Sequence, residues 1–212
     1  MKKLILYLML LSPLSLMAQF GIKGGLNFAN VTKASSINNS SKTGFHAGIL
    51  FGSASAKVFG FRTELTYSKQ GYDYKSGANT GNVNLDYIMS TNLTCINITK
   101  YFQLQFGAQM AYLVSAKVDS NTTSTGNAQV DKMMDLYNRF DYGFAGGIEI
   151  HPVGGLLIGA RANISLGSLY KDAQSGQMPS FSSIDLKNNV FQIFAGWRFG
   201  KQSSSKKKDK EE

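Results

Sequence analysis

From Phe20 onward, apolar and polar residues alternate nearly one for one. Phe20, Ile22, Gly24, Leu26 and Phe28 fall on one face, with Gly21, Lys23, Gly25 and Asn27 on the other. A period of two is the mark of a strand whose two faces meet different surroundings. The split returns with Phe45, Ala47, Ile49 and Phe51 against His46 and Gly48, then with Phe59, Phe61, Leu65 and Tyr67 against Arg62, Glu64 and Ser68. A fourth segment sets Leu85, Tyr87, Met89 and Leu93 against Asp86, Ser90, Asn92 and Thr94, with Ile88 and Ile96 interrupting the polar row. The fifth is the most regular: Phe102, Leu104, Phe106, Ala108, Met110, Tyr112 and Val114 alternate with Gln103, Gln105, Gly107, Gln109 and Ser115. Phe140, Tyr142, Phe144, Ile148 and Ile150 then oppose Asp141, Gly143 and Glu149. Leu156, Ile158, Ala160, Ala162, Ile164 and Leu166 oppose Gly159, Arg161, Asn163 and Ser165, and Phe191, Ile193, Ala195, Trp197 and Phe199 oppose Gln192, Gly196 and Arg198. Eight strands are predicted.

The connections between them alternate in kind. Thr32 to Thr43, Gly71 to Asn84, Lys117 to Arg139 and Gly167 to Asn188 are long and rich in Ser, Asn, Thr and Gly, whereas Ser53 to Ala56, Thr99 to Tyr101 and Pro152 to Gly155 are short. Short turns at one end and long loops at the other predict an up-and-down antiparallel barrel whose ends face different compartments. Alternation alone does not separate a soluble ligand-binding barrel, apolar inside, from a membrane barrel, apolar outside. The polar face decides for the membrane. It mixes Lys23, Asn27, Arg62, Glu64, Gln103, Gln105, Gln109, Asp141, Glu149, Arg161, Gln192 and Arg198 with many glycines. A solvated surface of that size carries more Lys and Glu and less Gly and Gln, and an eight-stranded barrel has an interior just wide enough for its own side chains. Phe20, Tyr67, Tyr87, Tyr101, Phe102, Phe140, Tyr142, Trp197 and Phe199 lie near segment ends, as interfacial aromatic girdles require. The expectation is an all-β, eight-stranded antiparallel transmembrane barrel over residues 19–200. A soluble periplasmic ligand-binding barrel is the alternative.

Composition agrees with this, with 22 Gly, 14 Phe and 10 Tyr against 3 Pro. The net charge of +9 raises the question of a nucleic-acid partner. Its location answers no: Lys2 and Lys3 sit at the N-terminus, Lys201 to Glu212 sets five Lys against three acids, and the remaining surplus is scattered. Met1-Lys2-Lys3, an apolar run from Leu4 to Met17 and the exit Ala18-Gln19 form a secretory signal peptide over residues 1–18. The charged segment 201–212 reads as a disordered periplasmic tail.

Several stretches resemble the PorT-like outer-membrane β-barrel family of the Bacteroidota. They are Gly21-Ile-Lys-Gly-Gly-Leu-Asn27, Lys42-Thr-Gly-Phe-His-Ala-Gly48, Glu64-Leu-Thr-Tyr-Ser-Lys-Gln-Gly71, Phe102-Gln-Leu-Gln-Phe-Gly-Ala-Gln109, Phe140-Asp-Tyr-Gly-Phe-Ala-Gly-Gly147 and Phe191 to Phe199. The resemblance implies an integral, porin-like outer-membrane barrel of the cell envelope, and an accessory role in protein secretion or transport as one function. Two departures bear on that role: the fourth strand lacks the family's Ile-Pro-Leu run, and a charged tail follows Phe199.

The candidate site is the lumen. Lys23, Arg62, Glu64, Asp141, Glu149, Arg161 and Arg198 are expected to form a structural salt-bridge network that fills the bore, with a binding or conducting site as the alternative. His46 and His151 fall at opposite ends, so no shared catalytic site is expected, although His46 with Ser40 or Ser41 is the arrangement a lipid-modifying enzyme would need. Cys95 is alone, and neither a metal nor a cofactor is expected. The reading is a non-enzymatic barrel whose partners are outer-membrane lipid, the outer-membrane assembly machinery and envelope or secretion proteins, with no nucleic acid.

Overall fold

The computed structural model describes residues 20–32, 38–52, 58–76, 79–120, 137–171 and 186–199. The expected signal peptide, the charged tail and the Ser53 to Ala56 turn lie outside these residues. Eight strands follow one another: β1 (Phe20–Thr32), β2 (Asn38–Gly52), β3 (Phe59–Ser76), β4 (Asn79–Asn97), β5 (Phe102–Ser120), β6 (Phe140–Ile150), β7 (Leu156–Ser165) and β8 (Lys187–Phe199). Each pairs antiparallel with the next, and β8 pairs with β1 from Phe20 opposite Phe199 to Thr32 opposite Lys187, closing the barrel. Closure leaves no row of unpaired backbone amides, which is what permits strands to cross hydrocarbon.

The alternation turns the barrel inside out relative to a soluble one. Ile22, Leu26, Phe61, Phe106, Phe144 and Phe191 are exposed, Phe61 to 71 %. Lys23, Arg62, Glu64, Gln105, Glu149 and Arg161 are buried. A continuous apolar exterior would drive aggregation in water. Against lipid it is the stable arrangement, and it excludes the soluble ligand-binding barrel.

One strand departs from the sequence reading. In β4 it is the apolar row, Val83, Leu85, Tyr87, Met89, Leu93 and Cys95, that is buried in the lumen, while Asn92 and Ile88 face out. Register explains the inversion. Ser76 pairs with Asn79, so the β3–β4 connection is two residues long. Counting down from that hairpin places Tyr72 opposite Val83, Ser68 opposite Tyr87 and Glu64 opposite Thr91, and directly paired residues share a face. Slipping β4 by one residue to send Leu85 and Tyr87 outward would break the hairpin and the whole β4–β5 ladder. The outward polar row is partly satisfied at its centre, where Thr63 Oγ1 donates to Asn92 Oδ1 at 2.8 Å.

Two expected loops are strand instead. β2 begins at Asn38, inside Thr32 to Thr43, and β3 and β4 run to Ser76 and from Asn79, through most of Gly71 to Asn84. Polar composition suggested loops there, but an antiparallel pair satisfies its backbone whatever its side chains are. The inward alternation also persists through Tyr72, Val83 and Leu85. Gly71, at φ +139, lies on β3 next to Tyr72, in a backbone conformation that other residues rarely adopt.

Candidate functional site in the barrel lumen

At the short-turn end, six buried charged residues from five strands converge. Glu64 on β3 accepts from Lys23 Nζ at 2.8 Å and from both terminal nitrogens of Arg161, at 2.7 and 3.0 Å. Glu149 on β6 accepts from both terminal nitrogens of Arg62, at 2.7 and 2.8 Å, so β3 and β6 are bonded across the bore. Planar guanidinium matched to carboxylate is the strongest geometry an ion pair offers. Two glutamines complete the mesh: Gln105 donates to Glu149 at 2.8 Å and accepts from Arg161, while Gln103 accepts from Arg62 at 3.0 Å. Phe194 projects inward from β8 beneath two cations, with Lys23 Nζ 3.9 Å and Arg161 Cζ 5.1 Å from its ring centroid. Small residues make the space. Gly48 and Gly196 pair with Lys23, and Gly147 pairs with Arg161.

Above this layer lies a waist of neutral polar groups. Asn188 donates to Gln70, which donates to Ser68 at 2.9 Å. Ser68 also accepts from Asn27 at 2.9 Å, and Asn27 Oδ1 accepts from Gln192 at 3.0 Å. His46 Nδ1 lies 2.8 Å from the same oxygen. An amide oxygen only accepts, so His46 carries its proton on Nδ1. The long-loop end is apolar and aromatic: Val31, Val83, Leu85, Tyr87, Leu113, Leu169 and Leu186 pack together. There the Tyr72 hydroxyl lies 2.6 Å from that of Tyr170, which stacks on Tyr137 at 4.8 Å between ring centroids. Asn138 ties the two loop bases together by donating to the carbonyls of Ser168 at 2.7 Å and Tyr170 at 2.9 Å. Burial pushes the Tyr137 phenol well above its ordinary value, with Tyr72 and Tyr170 adding to the effect.

Of the seven charges expected to meet, Lys23, Arg62, Glu64, Glu149, Arg161 and Arg198 gather. Asp141 does not. It accepts from Ser165 Oγ near the long-loop end, eight residues from Glu149, about 27 Å along the strand at the usual rise. The arithmetic of alternation puts it inward but does not fix its height. His151 Nε2 lies 3.0 Å from Glu149, so it belongs to the charged layer. His46 bonds Asn27, and Ser41 pairs with Tyr72. Alternation places Gln103 and Gln105 on the polar face without marking them, or Phe194, as site residues. A lone Phe in the polar row of β8 was the available signal for Phe194.

Among the expected girdle residues, Tyr67, Tyr101, Phe140, Tyr142, Trp197 and Phe199 are exposed and Phe20 and Phe102 half-exposed. Phe20 stacks on Phe199 at 5.9 Å and tilts against Phe51 at 5.4 Å. Tyr87 is not on the exterior. It is 1 % exposed and faces the lumen, because all of β4 is turned.

A closed barrel of eight antiparallel strands, apolar outside and bonded through a polar interior, defines an integral outer-membrane barrel. Residues 12–171 match the family described as outer membrane protein beta-barrel domain, and the chain belongs to that family. Among solved structures, it is similar to Neisserial surface protein A of Neisseria, at 14% identity and a TM-score of 0.50, covering 85% of this chain and 97% of that one. Ail, the attachment invasion locus protein of Yersinia pestis, aligns at 17% identity and a TM-score of 0.48 over 86% and 99% of the two chains. OprG from Pseudomonas aeruginosa aligns at 15% identity and 0.44 over 87% and 97%. No curated protein matches the chain in sequence.

Proposed function

We propose that this protein is a non-enzymatic outer-membrane barrel whose lumen is filled by its own side chains. Its long-loop end is extracellular and presents the β5–β6 and β7–β8 connections for structural or interaction roles. In this reading residues 1–18 direct export, the termini and short turns are periplasmic, and the charged network is structural. The observation that carries it is the pair of cross-bore arginine–carboxylate bridges, Arg62 to Glu149 and Arg161 to Glu64. Partners then meet the loops, the lipid-facing exterior or the tail, and the assembly machinery inserts the barrel.

Cysteine labelling on intact cells tests the orientation, and the single native thiol, Cys95, is buried and gives little background. Ser124→Cys, in the β5–β6 connection, is expected to react with an impermeant maleimide on whole cells. Gly154→Cys, at a short turn with open space around a Cβ, is expected to react only after permeabilisation. The reverse pattern contradicts the reading.

A second role, accessory to protein secretion, is supported by the PorT-like stretches from Gly21 to Phe199. Deleting the gene is then expected to change the secreted and surface proteome, and an unchanged proteome removes that role.

A further inference from the structure

The charged layer does not balance. Among the described residues, four buried cations, Lys23, Arg62, Arg161 and Arg198, face two buried carboxylates, Glu64 and Glu149. A carboxylate offers about four lone-pair sites, and Glu64 and Glu149 each already accept three hydrogen bonds. Glu149 Oε2 accepts from Arg62 at 2.7 Å and Gln105 at 2.8 Å; its Oε1 accepts from Arg62 at 2.8 Å and lies 3.0 Å from His151 Nε2. Glu64 is held by Lys23 and by both arms of Arg161, with Arg62 a further 3.6 Å contact.

Lys23 and Arg161 share the Phe194 ring as well as Glu64. Arg198 has neither. It is only 8 % exposed, its Nη2 stands 3.7 Å from Glu149, beyond hydrogen-bond length, and its Nε and Nη2 have no hydrogen-bond partner among the described residues. A buried guanidinium left this way is costly. Nε and Nη2 form one edge of the guanidinium, the edge whose two parallel N–H bonds match two oxygens of a carboxylate or phosphate. Arg198 stands one pair in from the closing Phe20–Phe199 pair, opposite Gly21, with its backbone N–H bonded to the Gly155 carbonyl in the β6–β7 turn. That places its unpaired edge at the short-turn end of the lumen, with Nε and Nη2 themselves buried.

We infer that the short-turn mouth of the lumen is an oxyanion site, in which a carboxylate or phosphate group binds the Nε/Nη2 edge of Arg198 and completes the charge balance of the layer. The oxyanion has two sources with the same chemistry: a small solute, or the side-chain carboxylates of segment 201–212, Asp209, Glu211 and Glu212, which follow Arg198 closely in sequence.

The test uses the full chain in detergent micelles, titrated with potassium phosphate and potassium acetate against potassium chloride at matched ionic strength. The readouts are the Arg198 Nε–Hε resonance and the unfolding midpoint. Expected are a saturable resonance shift and a midpoint rise of several degrees with the oxyanions and not with chloride, lost in Arg198→Gln and about tenfold weaker in affinity in Arg198→Lys, which keeps the charge without the fork. If the tail fills the site, the wild type is unresponsive. The Asp209→Asn/Glu211→Gln/Glu212→Gln chain then shows a displaced Arg198 resonance and gains the response. The inference is overturned if neither chain responds, if chloride acts equally, or if Arg198→Gln responds like wild type. None of these outcomes alters the conductance or labelling expected of the filled barrel, so the two claims fail separately.

Discussion

The two halves of the lumen solve the same packing problem with opposite chemistry. At the short-turn end, strands are held across the bore by Arg62–Glu149 and Arg161–Glu64 bridges. At the long-loop end Leu85, Tyr87 and Leu113 close the bore by apolar contact, capped by Tyr72, Tyr137 and Tyr170. In the first half the bridged groups depend on particular partners, and removing one leaves a buried charge behind. In the second, loss of a side chain costs its own contacts plus a cavity. The charged half is therefore brittle and the aromatic half graded.

Glu149→Gln tests the brittle half and carries the largest expected effect, about 3–5 kcal/mol of stability, because Arg62 loses its counter-charge in a closed space. Urea unfolding in bilayer vesicles, followed by Trp197 fluorescence and heat-modifiable gel migration, measures it. A loss below about 1 kcal/mol would mean that water already solvates the layer.

Leu113→Ala comes next, at about 2–5 kcal/mol, the usual range for a buried Leu truncated in a packed core. The same unfolding assay measures this loss, and bilayer recording is expected to show no increase in ion conductance, since no charge is freed.

Tyr72→Phe removes one hydroxyl from the pair with Tyr170 and is expected to cost about 1 kcal/mol. Above about pH 10, where an unfolded tyrosine ionises, the raised Tyr137 value works against the folded cap. The stability it contributes is complete below that pH and lost as the pH rises toward the folded value. Absorbance of tyrosinate at 295 nm is expected to show a late-titrating component that Tyr72→Phe shifts. Asp141→Asn has the smallest expected effect, under about 1 kcal/mol, because its partner is the Ser165 hydroxyl and it lies outside the charged mesh. A loss matching Glu149→Gln would show that the two regions are one network.

The sequence made seven strands and their faces legible because each pairs a consistently apolar row with a polar or glycine row. It misled on β4, whose two rows differ little: Ile88 and Ile96 share one with Asn92, and Tyr87 and Leu93 share the other with Thr91. Hydrophobicity alone is nearly neutral there, and a two-residue hairpin at Ser76 and Asn79 decides. That also accounts for the misplaced Tyr87. The charged layer was legible as residue types on inward positions, but partners were not. Which arginine meets which glutamate depends on height along the axis, set by register and tilt, and these also separate Asp141 from Glu149. The strand extensions beyond the lipid belt were hidden by polar composition, since backbone pairing there does not need apolar side chains.

Planar-bilayer recording of the purified barrel tests the filled lumen most directly. The wild type is expected to show no large, persistent open state, and Glu149→Gln is expected to show flickering conductance as the cross-bore bridge is lost. A steady, large conductance in the wild type would contradict the account, because it would require a continuous water column through the Arg62–Glu149 and Arg161–Glu64 layer.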